Sequence, residues 1–424
     1  MKKIYNELFD ETYYTEKLDN GLEIVIFHKP QFLSTSCAFG TTYGALNINQ
    51  RLNDEEYSFN PGIAHFLEHK LFESEENDIF TQFSNMGCNV NAFTSYNETV
   101  YYFSTTSKDI IEPLNLLLNF VQSLNITDAS VEKEKDIIIQ ELSMYMQNSN
   151  SRMLDEGYKS LYFEYPLKYD IGGDAKTVNA ISKEELEKCY KLNYHPSSMA
   201  LIIVTPHDPE MLMNIIKENQ SHKDFTELSR PIDNNKDEPI EVKRKDFSFK
   251  MDINKAKHLY AIKLLPNFKD QKECSFKEWC LNIYLKSYFS PINPSYQEWL
   301  DKGIINDFFG YEVNFDMDFA NILFYTESNK DNLKELVDSA LKEDLFNEDI
   351  LQQTKRRYIG ESFDMLDSDA FGLGYIRDYL NGNDFFENIN ILSNITLDDI
   401  KRVYNSFDYS NYALIHILPS GKWE

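Results

Sequence analysis

Positive charge is scarce in this sequence. Across 424 residues, 42 Lys and Arg stand against 69 Asp and Glu, a formal net charge of -27. Nucleic acid and anionic membrane surfaces both demand a basic face, so neither is expected as a partner, whereas a basic or neutral peptide is compatible. Long apolar runs are missing as well. The longest, such as Leu116-Leu117-Leu118 and residues 200–204, fall far short of the roughly 20 residues of a membrane span. No apolar run follows the basic residues of MKKIYNELFDE, so no secretory signal is expected, and the chain reads as soluble and cytoplasmic. Cysteine is sparse. Cys37, Cys88, Cys189, Cys274 and Cys280 are odd in number and scattered, and none forms a C-x-x-C pair. That pattern suits free, buried thiols in a reducing compartment better than a disulfide framework. What remains is 42% hydrophobic and 14% aromatic, too rich in large apolar residues for a disordered chain. The length suits roughly two to four domains rather than one hydrophobic core.

Strand-like and helix-like segments alternate through the first part. Residues 22–27 and 35–43 read as strands, and Asn60-Pro61-Gly62 reads as a helix start, with Asn60 as cap and Pro61 at the first helical position. The helix that follows is expected to run to about Phe72. Residues 89–104 have the alternation and β-branched content of paired strands. Helices are expected at 113–124, 131–147 and 183–194, and a buried strand at 199–204. The stretch SRPIDNNKDEPIEVKRKD has two prolines, many charges and little periodicity, so 227–246 reads as a linker. After it the order repeats: strand 259–264, helix 276–288, strands 311–315 and 321–326, helices 330–341, 347–366 and 396–404, and a last strand at 412–418. The expected fold is therefore α+β, two similar halves each with a mostly antiparallel sheet packed by helices. The expected domains are 1–226 and 247–424.

The chemistry is concentrated at HFLEH. On a helix His65, Glu68 and His69 fall at i, i+3 and i+4, all on one face. Two imidazoles one turn apart can meet one metal, and the carboxylate between them lies close to the same point. Zinc would polarise a scissile carbonyl and lower the pKa of a water, with Glu68 spaced to take the proton. The other six histidines form no comparable cluster in the sequence. A catalytic zinc needs a third protein ligand. In SVEKEKDIIIQELSMYM, Glu134 and Glu141 are seven residues apart and share a helix face with Ile137, Ile138 and Tyr145, which should look inward. A carboxylate on such a face wants a metal or a partner.

PGIAHFLEHKLFE, MGCNVNAFTSYNETVYYFS and VEKEKDIIIQELSMY, in that order, resemble the pitrilysin/insulinase family, which includes the mitochondrial processing peptidases. YHPSSMALIIV resembles the family's later strand. The resemblance is specific over about residues 20–210 and looser afterwards, and is nearest to bacterial members of about this length that work as pairs of unlike subunits. It implies a zinc endopeptidase in which His65, His69 and Glu141 are the ligands, Glu68 is the general base and Glu134 steadies the site. It also implies that Asn91, Ala92, Phe93 and Thr94 form an edge strand on which a peptide substrate is laid as an added strand. One zinc ion per chain is expected, though the ligand set also admits manganese or cobalt.

One feature of the family is missing. Self-sufficient members carry an Arg and a Tyr in a pattern like L-R-x-K-x-G-L-x-Y, and the matching stretch here, 299–311, has Asp301 in place of the Arg and Tyr311 too far along. The resemblance then implies a sister subunit of the same family that supplies both in a heterodimer, with a homodimer as the other pairing. A non-catalytic scaffold or peptide-binding subunit is the competing reading. Such members usually lose ligands, and here all four key residues stand.

Overall fold

The computed structural model describes residues 1–73, 78–225, 230–342, 345–368 and 370–421. The first part of the chain lays down β1 (Lys2–Asn6), β2 (Glu11–Lys17), β3 (Glu23–His28), β4 (Thr35–Thr41), β5 (Asn49–Leu52), β6 (Glu55–Ser58), β7 (Cys88–Thr94), β8 (Thr99–Thr105), β9 (Met199–Thr205) and β10 (Ile232–Asp233). Seven of these form one sheet in the order β1-β2-β3-β9-β4-β8-β7, and β10-β5-β6 form a small one. Within the large sheet β3 and β9 run parallel, and the other neighbours are antiparallel.

The central strand β9, MALIIVT, is buried along its whole length, as its apolar run demands of a strand covered on both faces. On one face, Ile24, Phe39, Tyr101 and Leu201 share a core with Phe66 and Leu67 of helix Ile63–Leu71 and with Leu117 of helix Ile111–Val121. On the other face, Phe27 meets Phe371 and Tyr375 edge-on, with ring centroids 4.8 and 4.9 Å apart.

The later part contributes β11 (Asp246–Met251), β12 (Lys257–Leu264), β13 (Gly310–Phe315), β14 (Ala320–Glu327) and β15 (Tyr412–Pro419). Their order is β11-β15-β12-β14-β13, with β11 and β15 parallel and the remaining pairs antiparallel. The five strands β3-β9-β4-β8-β7 of the large sheet have the same order and the same directions. Two similar α+β halves, expected from element order, are thus matched strand for strand.

The chain forms two compact units. One comprises Met1–Leu142, Tyr169–Asn235 and Phe363–Phe385, the other Ser143–Lys168, Lys236–Ser362 and Phe386–Glu424. The expected domains 1–226 and 247–424 are contiguous, whereas these units are not. The physical reason is that each sheet needs cover from a distant segment. Helix Phe371–Leu380 returns to β9 and β4 in the first unit. Helix Ser149–Leu161 lies on the second sheet, where Lys257 Nζ donates to Asn150 Oδ1 at 2.7 Å and Lys263 Nζ to the Leu161 carbonyl at 3.0 Å. Of the expected linker, 227–229 lie outside the described residues. The remainder is held in place: β10 pairs with β5, and Glu238 accepts from three backbone N–H groups, those of Phe163, Glu164 and Tyr165, and from Lys263. The five cysteines are free and buried. Among the described residues, no helix is long and apolar enough to cross a membrane.

Candidate metal centre

Helix Ile63–Leu71 buries Ile63, Ala64, Phe66, Leu67, Lys70 and Leu71, which leaves His65, Glu68 and His69 together on a half-buried face. Its start differs from the expected one. The cap is Gly62, not Asn60, and no side chain caps the helix. Asn60 instead gives its backbone N–H and its Nδ2 to the Glu185 carboxylate at 2.7 and 3.0 Å. Gly62 has φ 93, and a Cβ there would lie 2.4 Å from the Gly172 carbonyl oxygen, so both the turn and the close approach require glycine.

The carboxylates come from helix Asp128–Gln147. Its buried stripe is Val131, Lys135, Ile138 and Leu142, and Glu134 and Glu141 sit beside that stripe, half-buried. Ile137 and Tyr145 were expected to look inward; they are 45% and 46% exposed. The inward face is turned from the expected one, because its spacing follows 131, 135, 138 and 142.

The two helices bring the expected donors together. Glu141 Oε2 lies 3.4 Å from His69 Nε2 and 3.9 Å from His65 Nε2, and the imidazole centroids are 4.6 Å apart. Behind His69, Nδ1 is 3.0 Å from Glu134 Oε1. Glu134 in turn has the buried Lys70 ammonium 3.8 Å away, and Lys70 also donates to the Ser130 carbonyl and pairs with Glu73. Thr94, at the end of β7, donates its hydroxyl to Glu68 Oε2 at 2.6 Å.

The electrostatics follow from burial and crowding. Burial, helped by neighbouring His69, pushes the His65 pKa down to about 3, so its imidazole is neutral and able to act as a ligand. Burial pushes the Glu68 carboxyl above its usual range, although the Thr94 hydroxyl works against it. Burial opposes a charge on His69 too, but the hydrogen bond with Glu134 and the nearby carboxylates outweigh it and raise its pKa. Three carboxylates around two imidazoles leave a concentration of negative charge that a dication would neutralise. A donor oxygen and two donor nitrogens within 4.8 Å of one another fit such an ion. His65 Nδ1 is buried and without a hydrogen-bond partner among the described residues, and Gly172 is packed so closely that a Cβ there would lie 3.4 Å from it.

The segment Asn91–Thr94 lies on β7, the outermost strand of the large sheet, paired with β8 on one side. The Ala92 N–H donates to the Asn91 side-chain oxygen at 2.9 Å. Two neighbours were not anticipated from the sequence. Arg377 lies over the Phe93 ring at 5.6 Å and pairs with buried Glu98 at 3.1 Å. Thr94 has its contact with Glu68. Both arise from tertiary packing, and no local spacing announces them. In the second unit, Tyr311 donates its hydroxyl to the Asn282 carbonyl, and Arg357 is engaged by Glu361.

Comparison with known proteins gives two adjoining matches. Residues 53–175 match Insulinase (Peptidase family M16), and residues 180–348 match Peptidase M16 inactive domain. The chain is 34% identical over 409 residues to the uncharacterized zinc protease YmfH of Bacillus subtilis (strain 168), covering 95% of each. The chain belongs to peptidase family M16. Its M16 fold is shared with an M16-like peptidase from Alicyclobacillus acidocaldarius at TM-score 0.92 and 30% identity, covering 98% of this chain and 100% of that one. A further M16 relative is the β subunit of the mitochondrial-processing peptidase of Saccharomyces cerevisiae, 27% identical over 222 residues, which cover 51% of this chain and 46% of that subunit. The resemblance read from the three motifs is therefore correct, and the family it points to is one of zinc metallopeptidases.

Proposed function

We propose that this chain is the zinc-bearing subunit of an M16 endopeptidase that cleaves peptides or short unfolded segments. The observation that carries this reading is the meeting of His65, His69 and Glu141 around one point, with Glu68 on the same helix face. His65, His69 and Glu141 would hold the ion, and Glu134 would fix the His69 ring by accepting from Nδ1. Bound zinc would supply Lewis acidity towards a peptide carbonyl and a water of lowered pKa. Glu68, on the same helix face, would be the base that takes up a proton there and passes it to the leaving amine. Thr94 holds Glu68 in place, and the free edge of β7 offers main-chain groups to an extended peptide, so sequence selectivity is loose. Free, buried thiols agree with a cytoplasmic setting.

The second unit has no Arg and Tyr in the family's spacing, and Tyr311 and Arg357 have partners of their own. A sister M16 subunit carrying that pair would complete the enzyme. The test is cleavage of an unstructured peptide by this chain alone, by an M16 chain bearing the Arg/Tyr pattern from the same genome, and by the mixture. Cleavage confined to the mixture is expected. Full cleavage by this chain alone would contradict the dependence on a partner, and none in any mixture would favour a scaffold role.

A further inference from the structure

The second unit brings together two more imidazoles and a carboxylate. In the pairing of β12 with β15, His258 stands directly opposite His416, so the two side chains share one face of the sheet. Both are buried, and Nδ1 of one lies 2.8 Å from Nδ1 of the other. Asp331, between β14 and helix Leu333–Ala340, places Oδ1 3.6 Å from His258 Nδ1 and 3.7 Å from His416 Nδ1. Ligand atoms around a tetrahedral zinc with bonds of about 2.0–2.1 Å are roughly 3.3–3.4 Å apart, and the three observed edges straddle that separation.

The far side of the His258 ring says which nitrogen is free. His258 Nε2 is 2.9 Å from the Ser328 carbonyl oxygen, which can only accept, so Nε2 carries the proton. Its Nδ1 faces His416 and Asp331. His416 Nε2 lies 3.9 Å from Asp246 Oδ2, beyond hydrogen-bond reach. Metal-binding histidines characteristically turn their outer N–H to a carbonyl or carboxylate. His258 Nε2 makes such a contact with the Ser328 carbonyl. With the His258 proton on Nε2, either a cation or a proton on His416 Nδ1 must lie between the two rings.

A separate observation concerns Thr326. It stands across from His258 on β14, on the same sheet face, and its buried hydroxyl has no hydrogen-bond partner among the described residues. Ser248 stands next to His416 on β11. Thr326, His258, His416 and Ser248 thus make a polar row across four strands, where water on a metal would find partners. Asp331 is exposed, so an ion can reach its carboxylate from solvent.

We propose that His258, His416 and Asp331 form a second site for a divalent cation of the zinc or cobalt kind, separate from HFLEH. Imidazole nitrogen with one carboxylate is the donor set such borderline ions favour. The ion ties β12 to β15 and to the segment after β14, so its effect is on the stability of the second unit.

The test is zinc content after the full-length chain is stripped with chelator and dialysed against Zn2+. A chain with His65→Ala and His69→Ala retains one equivalent and loses it when Asp331→Asn or His416→Gln is added. In the otherwise unaltered chain, Asp331→Asn lowers the total by one; this residue is exposed, and circular dichroism checks that the fold is kept. Zinc uptake of zero by the His65→Ala/His69→Ala chain, or an equivalent that survives both further changes, overturns the proposal. The pair is then an N–H···N hydrogen bond. Because the count is taken with the HFLEH histidines removed, it stands or falls apart from the peptidase reading.

Discussion

At the HFLEH face the side chain that touches Glu68 is that of Thr94, which donates to it at 2.6 Å. A hydrogen bond to a charged group contributes about 1.5–3 kcal/mol, so its loss should slow turnover by roughly 10- to 100-fold. Thr94→Val keeps the shape and removes the donor. The expected outcome, measured as kcat with a peptide in the active assembly, is that fall with zinc content unchanged; an unaltered kcat would show that Glu68 needs no such support. His65, Glu68 and His69 are legible in the sequence, because i, i+3 and i+4 spacing fixes a shared helix face whatever surrounds it, whereas Glu141 is singled out only by the family resemblance. Thr94 and Lys70 were not legible. Their roles depend on an edge strand and a second helix meeting the HFLEH helix, contacts that no local pattern encodes. His258 and His416 were passed over for the same reason, since 158 positions separate them and only strand register brings them opposite each other.

Among the elements, apolar runs were the readable ones. β9 and β12 are buried throughout and stand out in the sequence, whereas KKIYN and ETYYTEK, on strands at the rim of the large sheet, carry no such signal. The stretch 227–246 shows how charge misleads. It has the composition of a loose tether, yet Glu238 within it is bound by Lys263 at 2.6 Å and by the N–H groups of Phe163, Glu164 and Tyr165 at 2.9, 2.7 and 2.8 Å. Burial works to raise the Glu238 pKa, but these four donors outweigh it and hold it below the usual value. A carboxylate lowered in this way stabilises the fold above its unfolded pKa of about 4.3, and that contribution is lost as pH falls through the lower folded value. Glu238→Gln should therefore destabilise the chain by about 1.5–3 kcal/mol at neutral pH, with the deficit shrinking below about pH 4. Urea unfolding of both chains across pH checks this, and a deficit independent of pH would assign the effect to packing rather than charge.

In the whole molecule, two units share one order of five strands, but HFLEH, Glu134 and Glu141 all belong to the first. The halves could be foreseen from element order; their discontinuous make-up could not, because helix Phe371–Leu380 reaches the first sheet from more than 160 positions beyond β9. The proposed metal ligands and base thus belong to one unit, with separate duties for Glu141 and Glu68. The most direct measurement compares zinc content and peptide cleavage of the complete chain, with its sister subunit present, for Glu68→Gln and Glu141→Gln. Glu68→Gln should keep its HFLEH zinc and lose cleavage, while Glu141→Gln should lose both. Full cleavage by a zinc-loaded Glu68→Gln chain, or unchanged zinc affinity in Glu141→Gln, would contradict the account.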